Sequence, residues 1–308
     1  MKYFEEKANN YHIAAAGSLL GVKISRPKSF PVGKVNFLDL YPMTFFEFLD
    51  AIGHPQYRHL LEKITQATPL SEPFHETLVD LLKKYFLIGG MPEAVKVYAL
   101  ENDFMAVRQV QLEILNSYIL DFAKHAQTHD IPKLSKIWES VPIQLARENK
   151  KFIFSAIRKS ARAREYEDAF QWLEDAGLIL RAPAITTARQ PLRGYEQSNA
   201  FKIYALDVGI LGAMASLPLE MSVMGNKLYT EYKGAFVENY VAQQLTSALQ
   251  QKLYYWRSRG GTAELDFLYE HNNHIFPLEV KAGINPKSKS LQSIINNLPP
   301  RNFSEQPC

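Results

Sequence analysis

Apolar positions recur at helical spacing over roughly 56–66, 73–88, 92–101 and 103–127, which predicts a run of amphipathic helices through the middle of the chain. Gly89-Gly90-Met91-Pro92-Glu93 breaks that run: the paired glycines suit a helix C-cap and Pro92 suits the first turn of the next helix. Upstream, Lys2 to Asn10 reads as the end of an amphipathic helix, with Tyr3 and Phe4 on one side and Glu5, Glu6 and Lys7 toward solvent. Tyr11 to Ala16, YHIAAA, is a short apolar run closed by Gly17 and Ser18, the pattern of a buried strand in a parallel sheet whose neighbours come from elsewhere. Val35 to Leu40 reads as extended chain. Pro42 then turns it, and a helix is predicted from Thr44, with Glu47 completing a capping box.

Further along, residues 132–185 hold three helix-like segments. The last, FQWLEDAGLIL at 170–180, passes through Gly177 into an apolar strand. A second strand near Lys202 to Leu206 makes the order that of a winged helix-turn-helix, with the polar stretch 186–199 as the wing. The final unit is a helix from about Thr230 to Gln250 followed by strands around 253–258, 263–270 and 274–281, with Gly260-Gly261 and His271 to Asn273 as turns. The expected fold class is therefore multidomain α+β.

At 308 residues and 46% hydrophobic, the chain is long enough for more than one core. A net charge of +3 does not announce nucleic-acid binding, because phosphate is neutralised by local Lys/Arg clusters. The one cysteine, Cys308, permits no disulfide framework within the chain and favours a cytoplasmic setting. No stretch approaches the roughly 18 apolar residues of a membrane span, so no membrane association is expected.

Chemistry concentrates near the C-terminus. Strand alternation sets Asp266 against its neighbours Leu265 and Phe267, which turn to a core, and puts Glu279 and Lys281 together on one face, opposite Leu278 and Val280. Two carboxylates, Asp266 and Glu279, suffice as protein ligands for Mg2+, which keeps waters and takes substrate phosphate. Such an ion activates water. Lys281 would orient the attacking water or stabilise charge on the phosphate, and Glu238 on the preceding helix would help hold the metal-bound water.

Phe236-Val237-Glu238, Glu264-Leu265-Asp266-Phe267 and Leu278-Glu279-Val280-Lys281 together resemble the PD-(D/E)XK nuclease superfamily in order and spacing. Three readings follow: a metal-dependent nuclease, a non-catalytic module that binds DNA or a protein without cutting, or a relic of the fold with no independent function. The likeness extends to the prokaryotic AAA+-like ATPases that carry a C-terminal domain of unknown function with this nuclease-like core. It is carried by YHIAAAGSLLG (11–21), SFPVGKVNFLDLYPMTFFEFL (29–49), YFLIGGMPEAV (85–95), FQWLEDAGLIL (170–180), YALDVGIL (204–211), GAFVENYVAQQL (234–245) and EVKAG (279–283).

That resemblance implies a remnant of the AAA+ domain over 1–50, its helical lid over 51–130, a winged-helix-like domain over 131–212 and a PD-(D/E)XK-like α/β core over 226–308. It places Ser18 near the γ-phosphate of ATP. The departure lies at the front: no Walker A string G-x-x-x-x-G-K-[ST] and no acidic Walker B strand occur. The expectation is a chain that begins partway through such a protein and does not hydrolyse ATP by these residues alone. Arg301 to Cys308 ends where a further strand is expected.

Basic residues form two groups. Lys150, Lys151, Arg158, Lys159, Arg162 and Arg164 surround the helix-turn-helix and could contact DNA backbone, although the helix that follows is rich in Glu and Asp. Arg257, Arg259, Lys287 and Lys289 flank the acidic site and could guide a phosphate chain to it. A protein partner is the alternative to DNA. His125 and His129 stand four apart without a third ligand and read as a solvent-facing pair, and Trp138 and Trp172 read as core.

Overall fold

A computed structural model of the chain describes residues 6–8, 10–17, 36–65, 69–147, 151–159, 161–219, 227–258, 260–261, 263–281 and 289–295. A helical layer comes first: α1 (Phe45–Ala51), α2 (Pro55–Glu62), α3 (Glu72–Ile88), α4 (Pro92–Glu101), α5 (Phe104–His125), α6 (Ile131–Leu145) and α7 (Ala163–Asp175). Strands β1 (Ile179–Ile185) and β2 (Glu196–Ala205), helices α8 (Val208–Met214) and α9 (Lys227–Leu249), strands β3 (Tyr254–Arg257), β4 (Glu264–His271) and β5 (His274–Leu278), and α10 (Lys289–Ile295) complete it.

The local signals act as the sequence implies. Thr44 caps α1 through a capping box, its hydroxyl accepting from the Glu47 N–H at 3.3 Å while Glu47 Oε2 accepts from the Thr44 N–H at 2.7 Å. Helix α3 stops at Gly89, whose φ of +76° disfavours any residue with a Cβ, and Pro92 opens α4. Asp103 caps α5, accepting from the Met105 N–H at 2.7 Å. Phe48 and Tyr85 meet edge to face at 5.2 Å, and Phe122 meets Trp172 likewise at 5.4 Å, while Trp138 is buried.

One buried carboxylate ties four of these segments together. Asp207 accepts from Gly90 N–H at 2.6 Å, from Ile210 N–H at 2.9 Å and from the Gln243 amide at 3.0 Å. The same Gln243 amide donates to the Tyr85 hydroxyl at 2.9 Å, and that hydroxyl donates to the Met43 carbonyl. Packing here leaves no room for side chains: a Cβ at Gly89 would stand 2.1 Å from Asp207 Oδ1, and one at Gly209 would stand 2.4 Å from the Ile88 carbonyl oxygen. Burial pushes the Asp207 carboxyl above its ordinary value, against the pull of the backbone N–H groups of Gly90 and Ile210.

All five strands belong to one mixed sheet, in the order β2-β1-β3-β4-β5. Neighbours are antiparallel except β1 and β3, which pair in parallel at Ala184↔Tyr255 and Ile185↔Trp256. The two strands on either side of the expected wing thus supply two of the five strands of a sheet shared with the C-terminal strands, across the boundary placed between 212 and 226. Its connecting loop is docked: Leu192 is buried with Trp256, Leu265 and Ile275, and its N–H donates to Glu270 Oε1 at 3.0 Å.

Two expectations at the N-terminal end are corrected. Residues 12–17 form no strand and are exposed, with Tyr11 at 71% and Ile13 at 47%, so the apolar run is not a buried sheet strand among the described residues. Residues 36–40, where extended chain is expected, form no strand and are exposed. Ser18 lies outside the described residues.

Candidate functional site

Helix α9 crosses the sheet with an unusually polar inner face, on which Glu238, Asn239 and Gln243 are all buried beside Ala235, Phe236 and Ala242. Each has a fixed partner, as buried polar groups require. Asn239 accepts from Ala205 N–H at 2.8 Å and donates to the Ala205 carbonyl at 3.2 Å, and Gln243 accepts from Val208 N–H at 2.9 Å. Glu238 accepts from the Tyr204 hydroxyl at 2.6 Å. Burial, and then the charge of Glu238, raises Tyr204 well above its ordinary value, which keeps that proton in place.

The centre of the arrangement is Lys202, two residues from Tyr204 on the same face of β2. Its Nζ lies 3.2 Å from Glu238 Oε1, 3.0 Å from Glu264 Oε1 and 3.4 Å from Asp266 Oδ1, so the three N–H donors of the ammonium face three carboxylates. The side chain is 2% exposed and stands 5.2 Å from the centre of the Tyr255 ring. Burial disfavours its charge, but Glu238, Asp266 and Glu264 outweigh that penalty and raise the ammonium above its ordinary value. Asp266 is raised as well, by burial first and by Glu238 second.

Asp266 reaches this centre by a route the alternation rule does not give. Tyr254 pairs with Leu268 and Trp256 with Leu265, so three steps on β4 oppose two on β3, which is a β-bulge around Asp266. In consequence Leu265 and Phe267 do not share a core as expected. Leu265 packs with Trp256 and Ile275, whereas Phe267 packs in the main core against Tyr204 at 5.4 Å. The last strand also stops early, at Leu278. Glu279 and Lys281 therefore follow the strand, and Lys281 Nζ contacts Glu279 Oε1 at 2.5 Å.

Glu238, Asp266, Glu279 and Lys281 are brought to one end of the sheet, but as arranged they do not fit a Mg2+ ion. Of the four oxygens on the expected ligands, Asp266 Oδ1 faces Lys202, Asp266 Oδ2 accepts from Val280 N–H at 2.9 Å, and Glu279 Oε1 faces Lys281. Only Glu279 Oε2 is left, buried and without a partner. No group of three or more His, Cys, Asp or Glu placed to hold a metal occurs among the described residues. An ammonium stands where the metal chemistry needs a divalent cation, and no step is derived through an ion here.

The other expected residues scatter. Arg257 is partly exposed at the end of β3, with Glu264 opposite in the ladder, and Lys289 is exposed at the start of α10. Arg259, Lys287 and Lys150 lie outside the described residues. His125 faces Asp121 at 3.9 Å and His129 faces Asp130 at 3.4 Å, so the two histidines pair with separate carboxylates. Lys202 and Glu264 are the members that sequence reasoning missed. The available signal was a lysine inside the apolar strand Ala200-Phe201-Lys202-Ile203-Tyr204-Ala205, where a charge survives only with a buried partner.

No helix of the described residues is long and apolar enough to cross a membrane. No curated protein and no solved structure matches the chain. Two domain families do match in part: residues 79–220 match a domain of unknown function, DUF8612, and residues 233–304 match a second, DUF4143. DUF4143 is often found C-terminal to AAA-type ATPase domains, and at that coarse level the chain is similar to an ATPase-associated protein.

Proposed function

We propose that the chain is a non-catalytic DNA-binding module of an AAA-associated protein, holding the phosphate backbone through the basic turn that leads into α7. The observation that carries this reading is the sequence from Lys151 to Arg164, which has five basic residues and no acidic one. Arg158, Lys159, Arg162 and Arg164 are exposed at its end. Phe152 N–H donates to the Phe201 carbonyl at 2.8 Å, which fixes the segment against the edge of β2. The helix order and this extra edge contact support the helix-turn-helix reading. Glu165, Glu167 and Asp168 on α7 share the sign of the phosphates that line the groove and keep that helix out of it, so the contact is made by the basic turn, to backbone rather than to bases.

The nuclease-like acidic centre is not the cutting site in this reading, because its ligand oxygens are already engaged. Fluorescence anisotropy with a short DNA duplex tests the proposal. Four phosphate contacts, one for each exposed cation, predict that affinity falls about 150-fold between 50 and 200 mM salt. The pair Arg162→Glu and Arg164→Glu is expected to weaken binding at least about tenfold, while Mg2+ or Mn2+ leaves the duplex uncut. Salt-independent binding, or binding indifferent to that pair, would refute it. Metal-dependent cleavage abolished by Glu279→Ala would replace it with the nuclease reading.

A further inference from the structure

Four carboxylates gather at the acidic centre. Glu238 is buried, while Glu264, Asp266 and Glu279 have side chains 31%, 20% and 11% exposed, so all four are mostly withdrawn from solvent. Two ammoniums answer them, Lys202 against Glu238, Glu264 and Asp266 and Lys281 against Glu279, and Arg257 stands opposite Glu264 in the ladder. Three carboxylate oxygens converge within 3.4 Å of the single Lys202 Nζ. Two further polar atoms, Glu279 Oε2 and the Tyr255 hydroxyl, are buried without a hydrogen-bond partner. Convergent oxygens around one point of positive charge, with acceptor capacity to spare, are what a hard divalent cation requires.

We propose that Lys202 is the resident cation of a centre whose carboxylates are otherwise arranged for a divalent ion: the native protein takes none there, and removing the ammonium opens a latent metal site. The occupant is specified by the chemistry. Oxygen donors alone and a surplus of negative charge favour Mn2+, Ca2+ or Mg2+ over the ions that prefer sulfur or imidazole. Lys202 is covalently held, so no chelator can remove it. This inference does not rest on DNA binding, and each can fail without the other.

The test uses the full chain as wild type, Lys202→Met and the double variant Lys202→Met/Asp266→Asn, with Mn2+ as the probe. Thermal denaturation in EDTA and in millimolar Mn2+ is read beside calorimetric titration. Wild type is expected to show neither a Tm shift nor saturable heat. Lys202→Met should melt lower in EDTA and regain stability in Mn2+. At free ion 100-fold above Kd, its folded state is favoured by about 100-fold. The double variant should lose that gain. Should Lys202→Met not fold in EDTA, Lys202→Gln, which keeps N–H donors without the charge, carries the same titration. Saturable Mn2+ binding by wild type that Asp266→Asn abolishes would overturn the proposal, as would a folded Lys202 variant that binds no Mn2+.

Discussion

Replacing Asp207 by alanine removes the acceptor shared by Gly90 N–H, Ile210 N–H and the Gln243 amide, all inside the fold. A buried donor left unmade costs roughly 1–3 kcal/mol, so three of them set a gross loss of about 3–9 kcal/mol. Losing a fully buried carboxylate relieves its desolvation, which offsets part of the loss; the Ile210 bond is the N-cap of α8 and is already among the three. A net destabilisation of about 4 kcal/mol follows, which is a drop in Tm of roughly 6 °C for a chain of 308 residues. Urea denaturation followed by circular dichroism checks it, with the midpoint expected to fall at unchanged slope. Asp207→Asn keeps the shape and one acceptor oxygen, and should cost about half as much. A loss under about 1 kcal/mol for Asp207→Ala would show that the donors find other partners, and the reasoning would be wrong.

Gly90→Ala would push a methyl to 2.1 Å from the Met43 carbonyl oxygen, in a stretch where Met43 N–H already donates to the Gly90 carbonyl at 2.7 Å, and about 3 kcal/mol should be lost. Gly53→Ala, at φ +81° with open space around it, should cost only about 1 kcal/mol, and equal melting temperatures for the two variants would contradict the steric account. Burial holds the Glu174 carboxyl above its ordinary value despite Arg181 at 3.4 Å. The folded state therefore keeps that proton to higher pH than the unfolded chain, so stability from this group is greatest in acid and declines as pH rises past the ordinary carboxylate value. Urea midpoints of wild type minus Glu174→Gln should fall from about pH 4 to 7, and a rising difference would refute the sign.

Helix positions were legible because the signals are local. The spans expected at 73–88, 92–101 and 103–127 become Glu72–Ile88, Pro92–Glu101 and Phe104–His125, each delimited by a glycine, a proline or a capping aspartate within a few residues. The sheet was not legible as one body, since the parallel pairing of Ala184 with Tyr255 joins residues far apart and leaves no mark on either segment. Four residues of the acidic centre were visible through their order along the chain. Lys202, which decides what they can bind, was not, because a single charge in a strand names no partner. The bulge at Asp266 escaped for a related reason: period-two counting assumes an unbroken ladder.

Helix α9 carries Glu238 and Gln243 five positions apart, a rise of about 7.5 Å. Over that distance one rod enters both the Lys202 centre and the Asp207 network. The partners it meets, Lys202, Tyr204, Ala205, Asp207 and Val208, all precede the segment 233–304 that matches DUF4143. The segment that matches the family is thus smaller than the packed unit it belongs to. Cut free at its own boundary, it would present an uncompensated glutamate, an asparagine and a glutamine on the surface meant for the sheet, so heredity and mechanics divide this chain at different places.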